Sequence, residues 1–428
     1  MSLLPLLAIL SGESLPSYVA RLAQFHAKMA VFQFLAFLGL HRDAITLAAP
    51  ATIDRLATLS GQPPQRLALA AIQPGDGGLL RHGRTQFRAD FLCRDHITFC
   101  PACCAEDQAP TSGSGGHIAG QLLWQFAPVR TCPKHCIALS RLKVCSEEDR
   151  FQLPNLRLAA AGPSVERTVS PLQSYIVARL DGPSGPAWLD GQRIDQAAAA
   201  TQLLGACLLY GTKVKWAALT EDALDAAGRV GFEAAARGET GIRDALATLS
   251  SARQEPSAPT PSTTFGTLFA RVNAQGAEAG AMHGILRNVI LETLPVATGE
   301  TLLGQVVPQR LRHSATTLAS EVGLSRNALI AALCSFGVLP KASGPQALAH
   351  LSFDAVAGER VAETIRTSIP VAAIPAYFNC DQTAAQMLVA DGYATRIGAD
   401  AKMFGKTSNT VKRVRPRRSM PFSATFWP

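Results

Sequence analysis

Two pairs of metal-binding residue types lie near position 100 and position 132 of the 428-residue sequence. Cys100-Pro-Ala-Cys103 and Cys132-Pro-Lys-His135 each place two potential ligands at a two-residue spacing. This spacing lets both side chains of a tight turn reach one tetrahedral Zn²⁺. Together the four residues form a complete set of three cysteines and one histidine, which leaves no open coordination position. We therefore expect one structural zinc ion rather than a catalytic one.

Other cysteines near these pairs could take the place of a ligand or help to bind a second metal ion. Cys104 and Cys136 directly follow the two pairs, and Cys93 with His96 repeats the two-residue spacing. Cys145 has no cysteine or histidine within the next few residues. Three further cysteines lie in apolar helical contexts and are expected to be small buried hydrophobes: Cys207, Cys334 and Cys380.

Motifs typical of enzymes are incomplete in this sequence. It contains no H-E-x-x-H zinc-protease motif, and Gly113-Ser-Gly-Gly-His-Ile118 lacks the last glycine of a dinucleotide fingerprint. Gly405-Lys406-Thr407 matches the end of a phosphate-binding loop, but Asp400 stands where its first glycine belongs. We therefore expect a protein that is not an enzyme.

Length and composition indicate a globular protein of two to four domains with a polyanionic partner. Hydrophobic residues make up 47% and charged residues 17% of the chain, and the net charge is +8 with a pI of about 9.1. Residues 309–428 hold 14 Lys and Arg against 7 Asp and Glu, so the positive charge is concentrated there. The apolar run Met29 to Leu40 is too short for a membrane span, and Leu3 to Leu10 lacks the flanks of a signal peptide. We expect no membrane partner and a cytoplasmic, nucleoid-associated protein.

The hydrophobic periodicity predicts a mainly α fold, with zinc-ribbon knuckles inserted between helical domains and with helix-turn-helix modules. Residues 14–40 have the pattern of one long helix, broken once. A second helix is expected to end at Ser60-Gly61, with Pro63 at the first position of the next. In the helical stretch 171–250, Leu203, Leu208 and Leu209 are expected in the core. The predicted regions are a helix-turn-helix-like region 1–92, a zinc ribbon 93–146, a helical middle domain 147–252, a linker 253–264 and a DNA-binding region 265–428.

Residues 317–332 have the best helix-turn-helix pattern, with Gly323 in the turn. Ser325 is expected to cap the second helix and to leave Arg326 and Asn327 facing base edges in the DNA major groove. Three residues upstream could reach phosphates: Arg310, Arg312 and His313. The alternative is a plain two-helix packing unit.

Two other segments have a similar pattern. Residues 383–397, which include Arg396, form a weaker candidate because the turn glycine falls late. The basic residues that follow could contact the phosphate backbone as a wing or tail: Lys402, Lys406, Lys412, Arg413, Arg415, Arg417 and Arg418. The N-terminal element around Gly61 carries little positive charge, so protein contact or core packing is expected there.

Several segments between residues 10 and 145 resemble the TniQ family of bacterial transposon proteins, which includes the TnsD target-selection proteins. The matching pieces, in order, are Glu13-Ser14, Ser17-Tyr18, Arg21-Leu22-Ala23, Phe99 to Asp107, Leu123-Trp124-Gln125, Val129 to His135 and Leu139. Cys104, Cys136 and the unpaired Cys145 depart from the family pattern.

The resemblance implies an adaptor without catalytic activity that selects a transposition target. It would bind double-stranded DNA, directly or through an RNA-guided effector complex, and recruit an AAA+ ATPase and a transposase. A second copy of the chain, in a homodimer, is a further possible partner. The rival hypothesis is a zinc-stabilised helix-turn-helix transcriptional repressor, which would need no transposase partner.

Overall fold

The structure, a computed structural model, is mainly α-helical. It describes residues 2–41, 45, 48–109, 117–144, 149, 164–183, 185–252, 258–341, 345–370, 373–391, 394–397 and 413–416. The chain divides into two compact units. The first comprises Met1–Leu249 with Ala277–Met282, and the second comprises Ser250–Gly276 with His283–Pro428. No helix in the described part of the chain has both the length and the apolarity needed to cross a membrane.

The first unit begins with four helices: α1 (Leu15–Ala27), α2 (Val31–Phe37), α3 (Pro50–Ser60) and α4 (Pro64–Leu69). Ser14 caps α1 through its side chain, and Lys28 ends that helix in a left-handed conformation. The predicted single break is therefore confirmed. The prediction for Pro63 is wrong by one position, because Pro63 is the N-cap and Pro64 is the first residue of α4.

A region of short antiparallel strands follows these helices. Its strands are β1 (Gln73–Pro74), β2 (Leu80–His82), β3 (Thr85–Phe87), β4 (His96–Phe99), β5 (Thr131–Cys132), β6 (Ile137–Ala138) and β7 (Ser140–Lys143). Strands β1, β2 and β3 form one sheet, β4 pairs with β7, and β5 pairs with β6. The helix α5 (Pro101–Asp107) starts directly after β4. This is the frame that holds the cysteine pairs.

Five helices complete the first unit: α6 (Pro171–Asp181), α7 (Ala187–Asp190), α8 (Ile194–Tyr210), α9 (Glu221–Ala235) and α10 (Gly238–Ser251). Helices α8 and α9 approach closely at Gly205 and Gly231. A Cβ atom at Gly205 would lie 1.9 Å from the carbonyl oxygen of Ala227, so only glycine fits there. Leu203 is buried as predicted, but Leu209 is 43% exposed.

The helices after residue 260 are α11 (Pro261–Gln275), α12 (Ala281–Thr293), α13 (Ala315–Val322), α14 (Arg326–Ser335), α15 (Pro345–His350), α16 (Ala355–Arg366), α17 (Ile374–Phe378) and α18 (Gln382–Ala390). Helix α11 starts inside the segment 253–264 that was predicted as a linker, and residues 253–257 lie outside the described residues. As independent domains, the predicted regions remain a proposal.

The strands of the second unit are β8 (Thr301–Leu302), β9 (Gln305–Val306), β10 (Arg312–Ser314), β11 (Ser352–Asp354), β12 (Ile369–Pro370), β13 (Ala394–Ile397) and β14 (Arg413–Pro416). Strands β8 and β9 form a hairpin, β10 pairs with β11, and the last sheet has the order β12-β14-β13. A buried cluster around Leu318, Leu329 and Phe353 forms the core beneath α13 and α14.

Candidate metal centre and nucleic-acid interface

The structure brings the four predicted zinc ligands together. The sulfur atoms of Cys103 and Cys132 are 3.7 Å apart. The Nδ1 atom of His135 lies 3.5 Å from the sulfur of Cys100, 3.3 Å from that of Cys103 and 3.7 Å from that of Cys132. Ligands at about 2.0–2.3 Å from one tetrahedral Zn²⁺ have such separations, and they are too long for a disulfide bond. The chemistry and spacing of these donors fit a zinc ion.

The positions of the ligands follow from the local fold. Cys100 is the N-cap of α5, so Cys103 lies in the first turn of that helix. Cys132 ends β5, and the turn to β6 carries His135. Cys136 takes a left-handed conformation with φ of 52°, and its N–H donates to the Cys132 carbonyl at 2.9 Å. Each pair is thus held by the end of a strand and a tight turn.

A carboxylate orients the histidine ligand. The Nε2 atom of His135 lies 3.1 Å from Oε1 of Glu106, which also pairs with Lys134. Such a partner fixes the ring orientation of a metal-binding histidine and leaves Nδ1 for the metal. Glu106 was not among the predicted residues, although its place on the helix that carries Cys103 was a usable signal.

Without a cation, it is unfavourable to deprotonate thiols that lie this close together. Hydrogen bonding with Cys100 and Cys132, together with burial, raises the pKa of the Cys103 thiol far above its usual range. A bound Zn²⁺ reverses this effect, because its charge stabilises the thiolate form. Metal binding is therefore coupled to deprotonation of this cluster.

The neighbouring cysteines differ in environment. Cys104 is buried beside Phe99, Ile118 and Trp124, and burial raises its pKa to about 12, so it behaves as a small hydrophobe. Cys136 is exposed and outside the four-residue cluster. Cys93, Asp95 and His96 form a further group of close donors in the described part of the chain. Cys145 lies outside the described residues, and a second ion stays a prediction.

Polar side chains attach the ribbon to the helices of the first unit. The side-chain oxygen of Gln173, on α6, accepts hydrogen bonds from the N–H groups of Arg130 and Thr131, each at 3.0 Å. At the start of α9, Glu221 accepts from Arg130 at 2.7 Å and from Arg141 at 2.8 Å. Because the Arg130 side chain is only 6% exposed, this pairing compensates a buried charge.

A buried ion pair attaches the N-terminal segment to α1. The Glu13 carboxylate accepts two hydrogen bonds from Arg21, each at 2.7 Å, and both side chains are 0% exposed. Arg21 also donates to the carbonyl of Ala8, and Tyr18 donates to the carbonyl of Leu7. We call this group, Glu13 with Tyr18 and Arg21, the N-terminal latch.

The latch joins directly to the ribbon. The N–H of Ser14 donates to the Gly120 carbonyl at 2.9 Å, and the Gly120 N–H donates to the Ser17 hydroxyl at 2.7 Å. Residues that are distant in sequence therefore form one connected polar structure around the start of α1. The segments from Glu13 to His135 in the family pattern belong to this structure and the metal cluster.

Residues 5–139 match the TniQ family model, and we call this segment the TniQ domain. The matched residues include the latch and all four ligands of the metal cluster. The predicted family resemblance is confirmed over this segment. No curated protein matches the chain. A TniQ domain supports a general role as a transposition-associated DNA-binding adaptor.

The predicted helix-turn-helix at residues 317–332 lies beyond the TniQ domain. Helix α13 ends at Gly323, which has φ of 68°, and α14 starts at Arg326. Leu318 and Leu329 are 0% exposed, whereas Arg326 and Asn327 are exposed. Ser325 is the N-cap of α14 by backbone position, but its side chain makes no capping hydrogen bond. The two helices are thus as predicted, and the side-chain cap is not.

The residues upstream of α13 are engaged within the protein. The Arg310 guanidinium lies 3.6 Å from Glu321, and Arg312 donates to the Ser352 hydroxyl at 3.2 Å. His313 is 0% exposed, and burial lowers the pKa of its imidazole. The expectation that His313 reaches a phosphate is therefore wrong, because strand β10 turns this side chain inward.

The second helix-turn-helix candidate is misplaced in the sequence analysis. Ala394–Ile397 form strand β13 instead of a helix, so residues 383–397 cannot form this motif. Arg396 lies in β13, and Arg413 and Arg415 lie in β14. The other predicted basic contacts fall outside the described residues: Lys402, Lys406, Lys412, Arg417 and Arg418.

Proposed function

We propose that this protein is a transposition target-selection adaptor without enzymatic activity, acting on DNA in the bacterial cytoplasm and nucleoid. It binds target DNA, or an RNA-guided effector on DNA, and recruits the transposon AAA+ ATPase and transposase. The observation that carries this proposal is the combination, in one chain, of a TniQ domain and an exposed helix-turn-helix in a basic C-terminal segment.

In this proposal, zinc has a structural role. Cys100, Cys103, Cys132 and His135 hold one ion in a closed, four-ligand site that contributes folding energy. The ion leaves no coordination position for a substrate. It stabilises the turns against which the latch and the helices of the first unit pack.

DNA contacts are assigned to the C-terminal segment. Arg326 and Asn327 are assigned to base edges. In the major groove, arginine pairs with guanine and asparagine pairs with adenine. We assign a phosphate contact to the exposed Ser325 hydroxyl. Arg310 and Arg312 are expected to contribute less to DNA binding, since both side chains already have protein partners. Further phosphate contacts are assigned to the basic residues at the end of the chain: Arg396, Lys412, Arg413, Arg415, Arg417 and Arg418.

Recruitment of protein partners is assigned to the first unit. Several large apolar side chains are exposed near its N-terminus, and Phe37 (80%), Leu4 (74%) and Leu69 (66%) are the largest of these exposures. Exposed apolar side chains favour protein contact. A second copy of this chain or a transposition protein would cover them.

The test is affinity purification of the tagged full-length chain from its own host, with and without nuclease treatment of the lysate. We expect the ATPase or the transposase to copurify and to remain after nuclease treatment, because recruitment is a protein contact. DNA should disappear in the nuclease arm. A guide RNA with its effector proteins in the eluate would identify the RNA-guided route.

Two variants complete the design. Arg326→Ala should reduce the recovered DNA but not the recovered ATPase, and Arg237→Ala, which removes the same charge just after the end of α9, should change neither. Recovery of one operator-like DNA sequence without any transposition protein would contradict the adaptor and support the repressor.

A further inference from the structure

The second unit contains two helix-turn-helix copies at a constant interval. Asn379, between α17 and α18, stands 56 residues after Gly323, and both are left-handed, with φ of 48° and 68°. The same interval separates the hydrogen bond that closes each turn. The Leu324 N–H donates to the Ala319 carbonyl at 3.1 Å, and the Cys380 N–H donates to the Pro375 carbonyl at 3.0 Å.

The buried positions also correspond. Ile374 stands in the place of Leu318, and both side chains are 0% exposed. Ala385 stands in the place of Leu329 and is 3% exposed. Asp381 corresponds to Ser325, and its carboxylate caps α18 by accepting from the Ala384 N–H at 2.7 Å. Helices α17 and α18 therefore form a second helix-turn-helix, in which α18 is the second helix.

The strands around this copy complete a winged arrangement. Strand β12 precedes α17, and β13 and β14 follow α18, so that the order along the chain is strand, helix, helix and hairpin. The three strands form one antiparallel sheet in the order β12-β14-β13, in which Arg396 is opposite Val414 and Ile397 is opposite Arg413. The hairpin is the wing of this copy.

The charge of the wing complements DNA. From residue 394 to residue 418 the sequence contains eight Lys and Arg but only one acidic residue, Asp400. At the start of α18, Gln382, Thr383 and Gln386 are exposed. Glutamine amides form paired hydrogen bonds with adenine, and threonine contacts several bases. The basic wing and the polar helix face thus fit the phosphates and base edges of a DNA duplex.

The second copy has its own small buried cluster, which includes Ile374 and Ala385, and it contacts the core of the first copy through strand β13. Ile397 of β13 and Ile365 of α16 belong to the same buried cluster as Leu329 of α14. Because closely packed cores deform little, this contact ties strand β13 of the second copy to the first copy. Two DNA-reading helices in a fixed relation would require two half-sites at a fixed spacing.

We propose that α18 is a second DNA-reading helix, whose Gln382, Thr383 and Gln386 read an adenine-containing half-site next to the half-site of α14. This inference rests on the proposed DNA-binding function. The DNA site is therefore bipartite, with one half assigned to Arg326 and Asn327 and the other to Gln382 and Gln386.

The test is selection of binding sequences from random duplex DNA with the full chain, followed by measurement of affinities for the selected site. Three variants are compared with the wild type: Gln382→Ala/Gln386→Ala, Arg326→Ala and the control Gln305→Ala, which removes an exposed amide from the β8–β9 hairpin. Circular dichroism confirms that each variant is folded. Insertion of about 5 base pairs between the half-sites, half a turn of DNA, tests the fixed spacing.

We expect the Gln382/Gln386 variant to bind the selected site roughly ten- to a hundredfold more weakly and to lose sequence preference in one half-site only. Arg326→Ala should lose preference in the other half, and Gln305→Ala should match the wild type. The 5-base-pair insertion should reduce affinity to about that of a single half-site.

Two other outcomes are distinguishable. If the glutamine variant selects the same full site with unchanged affinity while Arg326→Ala does not, the second reading helix is refuted and the DNA-binding function stands. If the wild type enriches no sequence from the random duplex pool, sequence-specific DNA binding itself fails, and the bipartite site fails with it.

Discussion

Each of the two units contains a pair of helices that meet at a left-handed glycine. Helices α3 and α4 meet at Gly61, and α13 and α14 meet at Gly323; the two glycines have φ of 67° and 68°. Both elements bury a leucine five residues before the glycine and another six residues after it: Leu56 and Leu67 in the first unit, Leu318 and Leu329 in the second.

The two elements differ in what surrounds the turn. In the first unit, the chain's own N-terminal segment contacts it. The Leu3 N–H donates to the Leu59 carbonyl at 2.8 Å, and the Ile9 N–H donates to the Gln62 side chain at 3.4 Å. A Cβ atom at Gly61 would lie 3.0 Å from the Leu6 side chain, whereas one at Gly323 would meet no atom within 4 Å among the described residues.

The second helices also begin with different chemistry. Helix α4 starts with Pro64 and Gln65, and α14 starts with the exposed Arg326 and Asn327. The same backbone can therefore serve as a packing element in one place and as a proposed DNA reader in another. The fold of the motif does not determine its function, so the assignment rests on the residues at the start of its second helix.

Loss of the metal should have the largest effect and should separate the two elements. Cys103→Ser removes one ligand of the zinc cluster, and the metal-linked folding energy of such a site is on the order of 10 kcal/mol. We expect the TniQ domain to lose zinc and become protease-sensitive while the second unit stays resistant. Metal analysis and limited proteolysis measure this, with Cys104→Ser as a control for a non-ligand cysteine. Full zinc content in Cys103→Ser would refute the ligand assignment.

Disruption of the N-terminal latch should have the next largest effect. Arg21→Ala leaves the Glu13 carboxylate buried without its partner, which should lower the free energy of unfolding by about 3–5 kcal/mol. The exposed pair Arg237–Asp244 provides the matched control, and Arg237→Ala should cost at most about 1 kcal/mol. Urea denaturation compares the two variants. Equal losses would show that the latch does not hold the N-terminal segment.

A matched pair of glycine substitutions should have a smaller effect. Gly61→Ala and Gly323→Ala both force a non-glycine residue into the left-handed region, at a cost of about 1–2 kcal/mol. Gly61→Ala should cost more, because its new Cβ also meets Leu6. Thermal unfolding of the two variants measures the difference. A larger loss for Gly323→Ala would contradict the view that the N-terminal segment packs against the first turn while no segment packs against the second among the described residues.

Removal of two basic residues should have the smallest effect. Arg417→Ala/Arg418→Ala should weaken binding to all DNA sequences alike, because phosphate contacts carry no sequence information. The slope of log affinity against log salt should become shallower by up to about 0.9 for each phosphate that the protein no longer neutralises. Binding titrations at several salt concentrations give this slope. Weaker binding to one DNA sequence alone would instead assign these residues to base reading.

The sequence predicted the local features well. The two ligand pairs were found because a short turn fixes both side chains, so spacing alone was informative. The turn at Gly323 was found because a glycine there indicates a left-handed residue. Cys104 and Cys136 could not be separated from the ligands, since only the helix rotation of α5 and the conformation of Cys136 place them outside the cluster.

Long-range features escaped the sequence analysis. The pairing of Glu13 with Arg21 and the role of Gln173 depend on contacts between distant segments. The proposed second helix-turn-helix was predicted at the wrong residues. Its turn uses Asn379 instead of glycine, whereas the prediction placed the turn at Gly392. Leu209 was assigned to the core from periodicity, but its side chain is 43% exposed.

The most direct test of the comparison is competition binding with the DNA site that the wild-type chain selects, using Arg326→Ala and Gln65→Ala. The measured quantity is the ratio of affinities for the selected site and for unrelated DNA. We predict that Arg326→Ala lowers this ratio by a factor that corresponds to about 1–3 kcal/mol, the free energy of one base contact. Gln65→Ala should leave the ratio unchanged. A lowered ratio for Gln65→Ala with an unchanged one for Arg326→Ala would show that the first unit, and not the second, reads the DNA.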